Sequence, residues 1–327
     1  FFELNKKILN KFRYNLIIPL FEEIINYKLD EANFKNFSTY IRSESVKYLD
    51  KKKIFNLVLN RKKGKKLICH IEEICTQDIE TIKMDYEVFL MQNELLDEYN
   101  YSLEFTQINE VYKKIFTTFF YNKFFNDIKI WKLIDDKIEE YNKNVFHKNF
   151  KDENSIEVCP YCDTETIFSL DNITIDHFLP KSNFPFLSMN PNNLISSCYA
   201  CNLGSRGKKN VFNNPIISPY SYQIGDKLDF YLNYKNCEVL INNKSPYREV
   251  DNYIEFLNIS NKYKNKNVFE NIRRETKLIF RFFLKEGDIL NREIIEEYIS
   301  YKNQPLTFAK KSICQDISNY NKFKENF

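Results

Sequence analysis

Two short cysteine pairs constrain this chain more than any other feature. They are Cys159-Pro-Tyr-Cys162 and Cys198-Tyr-Ala-Cys201. Each Cys-x-x-Cys turn bends the backbone so that two thiolates face one point, and two such turns complete a tetrahedral set of four sulfurs. That set suits structural zinc. It leaves no open coordination position, so an ion there holds the chain together and does no chemistry. A redox Cys-x-x-Cys would need only one pair on a thioredoxin-like βαβ unit, and none is visible. Residues 163–197 separate the pairs, which is more chain than a simple zinc ribbon needs, so something further is built inside the loop.

The rest of the composition sets broad bounds. A chain of 327 residues suggests two domains, or three small ones. With 43% apolar and 16% aromatic residues it can build a large core. A net charge of +3 does not identify a nucleic-acid partner, because such sites are local basic patches. The surplus of Asn, Lys, Ile, Tyr and Phe reads as AT-rich coding DNA. No apolar run is long enough to span a membrane. Paired cysteines in a chain of this size point to metal in a reducing compartment, hence to the cytoplasm. Cys69, Cys75, Cys237 and Cys314 are scattered and read as core thiols, and His70 beside Cys69 reads as structural. The chain begins with Phe rather than Met, which reads as a piece of a longer protein.

Proline and glycine divide the chain. Pro160, Pro180, Pro185, Pro191, Pro215 and Pro219, with Gly204 and Gly207, make residues 160–219 a region of loops and short elements. On the N-terminal side, Tyr112, Phe116 and Phe120 recur every four residues beside Ile115 and Phe119, a helical stripe facing a core. Leu16, Leu20 and Ile24 mark another helix, with Pro19 kinking it or sitting in its first turn. Residues 51–66 carry only positive charge, whereas 67–110 carry many acids and the single lysine Lys83. These are solvated faces, or a basic strip followed by an acidic docking surface. Beyond residue 225, "DFYLNY" and "CEVLIN" predict a hairpin turning at Lys235-Asn236, and Val268, Ile272, Leu278 and Phe282 predict a long helix. The expected fold is α+β: a helical platform over 1–150, a zinc-clamped unit over 151–222, and a hairpin with helices over 223–327.

Inside the cysteine loop, Ile173-Thr-Ile175 reads as a strand that delivers Asp176 and His177 to its end. "NLISSC" (193–198) reads as a second strand, and a short helix starts at Tyr199. This order, strand–loop–strand–helix, is a ββα-metal unit. Its polar residues suit phosphodiester hydrolysis. The Asp176 carboxylate and the Asn202 amide oxygen are hard ligands for Mg²⁺ or Mn²⁺. His177 can act as general base on water, since imidazole titrates near neutral pH. Asn193, at the start of the second strand, can brace the loop that orients the imidazole. A lone histidine is usually structural and asparagines are usually caps or turn formers, as Asn192 is expected to be. The joint pattern is what points to a site.

These residues, "DHFLPKS…NNLISSCYACN" between two Cys-x-x-Cys pairs, resemble the HNH endonuclease family of the zinc-clamped kind. The resemblance covers about 60 residues. It implies His177 as general base, Asn193 as structural, and Asp176 with Asn202 as ligands of a catalytic Mg or Mn ion. It implies phosphate contacts near Arg206, Lys208, Lys209 and Lys181, although the basic residue that follows the last motif Asn is displaced by one position to Arg206. Weaker likeness over "FHKNFKDENSIEVCPYC", "NPIISPY" and "FLNISNKYKNKNVFENIRR" extends it to nuclease subunits of bacterial anti-phage systems of the Septu kind, where the nuclease accompanies an ATPase. The expected function is therefore a DNA endonuclease in a defence complex, with DNA and an ATPase as partners, no membrane, and a homo-oligomer as one way to cut both strands. The helical N-terminal part is expected to dock or restrain the nuclease. The alternatives are a catalytically silent zinc-containing subunit that binds nucleic acid or protein, and a purely structural zinc scaffold.

Overall fold

Apolar stripes at helical spacing fill the N-terminal half, and helices form there. The structure, a computed structural model, describes residues 3–104, 106–204, 216–285 and 304–325, with Glu293, Ile295 and Ile299. The chain is mainly helical with small two-stranded sheets, the expected α+β class. It packs as two units, Phe1–Glu153 with Asp176–Ile195, and Asn154–Ile175 with Ser196–Phe327. The sequence division at 150 and 222 follows motif boundaries, whereas packing assigns different parts of 151–222 to different units. Among the described residues, no helix is long and apolar enough to cross a membrane.

The first unit opens with α1 (Glu3–Phe12), a π-helical turn (Arg13–Ile17) and α2 (Ile18–Leu29). Pro19 lies in the first turn of α2, and the backbone changes pitch just before it, where a proline ring crowds the preceding turn. Leu16, Leu20 and Ile24 are buried as expected. Then come α3 (Phe37–Tyr40), α4 (Lys52–Leu59), strands β1 (Lys62–Lys63) and β2 (Lys65–Lys66), α5 (Leu67–Ile74) and α6 (Ile79–Asp97). Gly64, with φ +77°, makes the turn between β1 and β2 that other residues resist. Glu23 of α2 is a fully buried carboxyl, and it accepts hydrogen bonds from the Tyr40 hydroxyl (2.6 Å) and the Tyr48 amide (2.7 Å).

The stripe from Tyr112 to Phe120 is buried, but its helix is not uniform. α7 (Glu110–Lys113) widens into a π-helix over Lys114–Tyr121. α8 (Ile128–Ile134) and α9 (Lys143–Asn154) complete the helical run. The unit also takes in residues 176–195. Phe186 enters a cluster of Phe21, Phe89, Tyr112 and Phe116, edge-on to Phe116 at 4.9 Å between ring centres.

β3 (Ile173–His177) pairs with β4 (Leu194–Cys198), and α10 (Tyr199–Gly204) follows, giving the expected strand–loop–strand–helix order. The second unit continues with the antiparallel hairpin β5 (Leu228–Asn233) and β6 (Glu238–Asn243). Then come α11 (Arg248–Phe256), α12 (Ile259–Tyr263), α13 (Lys266–Lys285), α14 (Thr307–Gln315) and α15 (Ile317–Glu325).

Val268, Ile272, Leu278 and Phe282 do lie in one long helix, α13; its buried face is Phe269, Ile272, Thr276, Ile279 and Phe283, in three- and four-residue steps, while Leu278 and Phe282 are exposed. One expectation needs correction. Of the four scattered cysteines, only Cys75 and Cys314 are buried, each with its thiol pushed up to about 12 by burial. Cys69 is exposed on α5, and Cys237 lies half-buried in the hairpin turn with φ +51°.

Phe186→Ala removes a ring packed on four aromatic neighbours and should lower the unfolding free energy by about 3–5 kcal/mol. Urea denaturation checks this; a loss below about 1 kcal/mol means that the cluster is not the anchor of residues 176–195.

Candidate functional site

In the first unit, His177 ends β3 and is buried. Its Nε2 lies 3.1 Å from the carbonyl oxygen of Ser188. A carbonyl can only accept, so Nε2 carries the proton in the neutral ring and Nδ1 is the basic nitrogen. The imidazole also meets the Tyr121 ring at 4.4 Å between centres and 69°. Ser188 is held in turn: its hydroxyl donates to the Phe116 carbonyl (3.0 Å) and its amide to Pro185 O (3.0 Å).

Asn193 braces the intervening loop. Its Oδ1 accepts from the Leu179 amide (2.7 Å), and its Nδ2 donates to Leu179 O and Leu187 O (3.1 Å each). Its own carbonyl accepts from the Phe178 amide at 2.9 Å. One buried carboxamide thus ties together both ends of residues 179–187, the segment that presents Ser188 to the histidine. The neighbouring asparagines are also engaged. Asn190 caps the following 3₁₀ turn and donates to Asn93 (3.0 Å), and Asn192 donates to Leu96 O (3.0 Å).

Asp176 is buried beside His177 in sequence. Burial and the charge of Asp176 raise the pKa of the Tyr121 phenol. Lys181, half-buried, places its ammonium 4.3 Å from the centre of the Tyr121 ring, and Lys143 does the same at 4.2 Å. Burial, then the neighbouring Lys143, lowers the Lys181 pKa to about 8, and burial lowers that of Lys143.

The second unit holds the cysteines. A short bridge between Val158 and Thr166 and a bond from the Cys159 amide to Glu165 O (2.9 Å) fold the first pair into a tight turn. Asp163 occupies that turn with φ +55°, a conformation aspartate tolerates better than most residues. The second pair spans the end of β4 and the first turn of α10. All four sulfurs are buried and lie within 4.8 Å of one another. Cys162 and Cys198 are 3.9 Å apart, sulfur to sulfur, and none of the four is in a disulfide. A tetrahedral zinc with bonds of about 2.3 Å needs sulfur–sulfur edges of about 3.8 Å, so the cluster could hold zinc.

Partners around the sulfurs support this. The Cys198 amide donates to Cys159 Sγ (3.3 Å), the Cys201 amide to Cys198 Sγ (3.4 Å), and Lys262 Nζ to Cys201 Sγ (3.0 Å). Burial opposes the Lys262 charge, but the thiolates outweigh it and raise its pKa. The Tyr253 hydroxyl donates to Tyr161 O (2.7 Å) and the Tyr263 hydroxyl to Cys162 O (3.0 Å), which fixes the first pair from α11 and α12. Asn202 of α10 donates through Nδ2 to Thr174 Oγ1 (3.0 Å).

The HNH endonuclease family model matches residues 159–208. The chain carries an HNH endonuclease domain. It is also 36% identical over 84 residues to protein ea31 of Escherichia phage lambda, a match over 25% of this chain and 26% of that protein. It is 37% identical over 67 residues to the Septu protein PtuB of Bacillus thuringiensis, covering 20% of this chain and 26% of PtuB. The chain therefore matches about a quarter of the length of these curated relatives. No solved structure matches.

Of the site residues expected from sequence, Asp176, His177, Lys181 and Asn193 belong to the first unit, and Asn202 and the four cysteines to the second. Arg206, Lys208 and Lys209 lie outside the described residues. Sequence reading missed Tyr121, Lys143 and Ser188 around the histidine, and Asp163, Tyr253, Lys262 and Tyr263 around the cysteines. No local motif flags them: most meet the cysteine turns or the histidine from distant positions, Ser188 serves through its carbonyl, and Asp163 binds a helix far along the chain.

The cluster should bind one zinc per chain, as measured by elemental analysis of purified protein. Cys198→Ser should lose that ion and much of the protein's solubility, since metal binding here is coupled to folding. A metal-free preparation of normal stability would overturn the assignment.

Proposed function

We propose that this protein is a divalent-metal-dependent endonuclease that hydrolyses DNA phosphodiester bonds. The observation that carries this reading is the Nε2 bond of His177 to Ser188 O, which fixes the tautomer and makes Nδ1 the nitrogen able to take a proton. The imidazole removes a proton from water as its oxygen attacks phosphorus in line. Asn193 keeps Ser188 in place and so keeps the imidazole aimed. Asp176 and Asn202 offer oxygen donors of the right hardness for Mg²⁺ or Mn²⁺, and the Asn202 amide directs its nitrogen to Thr174, which makes oxygen its ligand atom. An Mg²⁺ or Mn²⁺ ion held by such donors would polarise the scissile phosphate and stabilise the leaving oxygen. Lys181 contributes positive charge toward the phosphodiester backbone, and Arg206, Lys208 and Lys209 extend that grip. Zinc in the four-cysteine site is structural.

The likeness to the Septu protein supports a role in anti-phage defence, with an ATPase as the expected partner in a cytoplasmic complex. The exposed Met84, Leu90 and Met91 on the acidic helix α6 fit a docking role for the N-terminal part. With one histidine per active site, each site cuts one strand, so a double-strand break takes two copies or two successive nicks.

His177→Ala should lower plasmid nicking in Mg²⁺ or Mn²⁺ by about 10²–10⁴-fold while DNA binding and folding persist. Cleavage within about tenfold of the parent protein would reject the base role. The pH dependence has a second signature. Burial, then Lys143, holds the Lys181 pKa at about 8, below its ordinary value, so its charge is half lost at that pH and fades as pH rises through it. DNA affinity should therefore fall as pH rises through about 8, and a Lys181→Arg variant should shift that fall upward in a binding titration.

A further inference from the structure

We propose that Lys143 and Lys181, gathered on the ring of Tyr121, form a seat for a phosphate of the DNA strand next to the bond that is cut. The inference rests on the nuclease reading above and adds to it a substrate contact from outside the HNH domain. Lys143 is the first residue of α9, ahead of the matched segment 159–208. Tyr121 closes the π-helix that follows α7.

Three observations carry the proposal. First, both ammonium groups touch the same ring, at 4.2 and 4.3 Å from its centre. Second, both side chains are half-buried, and among the described residues neither lysine forms an ion pair with a carboxylate. Third, Tyr121 also meets His177 edge-on, so the ring that carries both lysines touches the general base as well.

Two like charges drawn partly out of water onto one ring are costly unless an anion joins them. The π face offsets part of that cost but carries no net charge. The lowered pKa values of both lysines express the same missing counter-charge. A phosphodiester supplies it, with a full negative charge and several acceptor oxygens that ammonium groups can share. Tyr121 is a positioning residue: it holds both cations and packs against the imidazole.

The test uses the full chain and fluorescence anisotropy of a labelled DNA duplex across a salt series, in a His177→Ala background so that the DNA stays intact. Lys143→Gln and Lys181→Gln should each reduce the slope of log affinity against log salt by about 0.9, and the double variant by about 1.8. Lys143→Arg should keep the parent slope. None of the Gln variants should melt below the parent, because each removes an unpaired, half-buried charge. With His177 intact, Lys143→Gln should raise KM for DNA and leave kcat within about twofold. A parent-like salt slope for Lys143→Gln overturns the proposal, as does a lower Tm with unchanged affinity, which would make Lys143 a structural cation on Tyr121. A chain that binds DNA with the lysine-dependent slope but never cuts it sinks the nuclease reading and leaves the phosphate seat standing. No DNA affinity in any variant overturns both.

Discussion

Residues 184–198 are buried without a break, and most of that stretch is irregular backbone. Buried peptide groups must find partners, and a loop has no ladder to supply them. The rest of the candidate site depends on how this is solved. Carboxamides and hydroxyls solve it. Asn193 takes three bonds to Leu179 and Leu187, Asn192 donates to Leu96 O, and the Tyr101 hydroxyl donates to Asn192 O at 2.9 Å. Asn93 of α6 accepts from Asn190 and from Arg13, whose guanidinium also pairs with Asp97. These bonds hold the segment that carries the Ser188 carbonyl, and through it the tautomer of His177.

The cysteine cluster solves a different problem with the same means. The short segment around Cys159 and Cys162 has few apolar side chains of its own. Tyrosine hydroxyls from α11 and α12 reach its carbonyls, and Lys262 offsets part of the thiolate charge. Asp163 adds a third tie: its carboxylate accepts from the Phe308 amide at the start of α14 (2.6 Å), and its carbonyl from the Leu306 amide. A side chain from the cysteine turn thus caps a helix more than a hundred residues away, where helix amides lack partners of their own.

How much of this was legible follows from where the signal is stored. The cysteine pairs, the β3–β4–α10 order, the tautomer-bearing histidine and the bracing Asn193 are local patterns with fixed spacing, and all could be read. The asparagine surplus was read as codon bias. Yet Asn5, Asn93, Asn190, Asn192 and Asn193 are buried and each makes hydrogen bonds to the packed chain. Composition cannot distinguish such residues from solvent-facing ones, because burial depends on tertiary packing. The same holds for the scattered cysteines, of which Cys69 is exposed and Cys237 half-buried. Tyr121 and Lys143 carry no motif at all. Their part in the site exists only because the π-helix and α9 pack beside residues 176–195 within the first unit.

That last point bears on what an HNH domain is in this chain. The matched segment 159–208 contains the expected reacting side chains and the four thiols, but only some of the groups that hold them. The Phe116 carbonyl that fixes Ser188, the Tyr121 ring against His177, and the Asn93 and Leu96 partners come from earlier in the chain. The tyrosines and lysine around the cysteine turns come from later. Removing either flank would open buried peptide groups and thiolates to water, and a half-satisfied polar network is worse than an apolar core. The two lysines on Tyr121, which form no ion pair with a carboxylate among the described residues, are the opposite case: their charge is held without a counter-ion, the arrangement that the proposed anion seat requires.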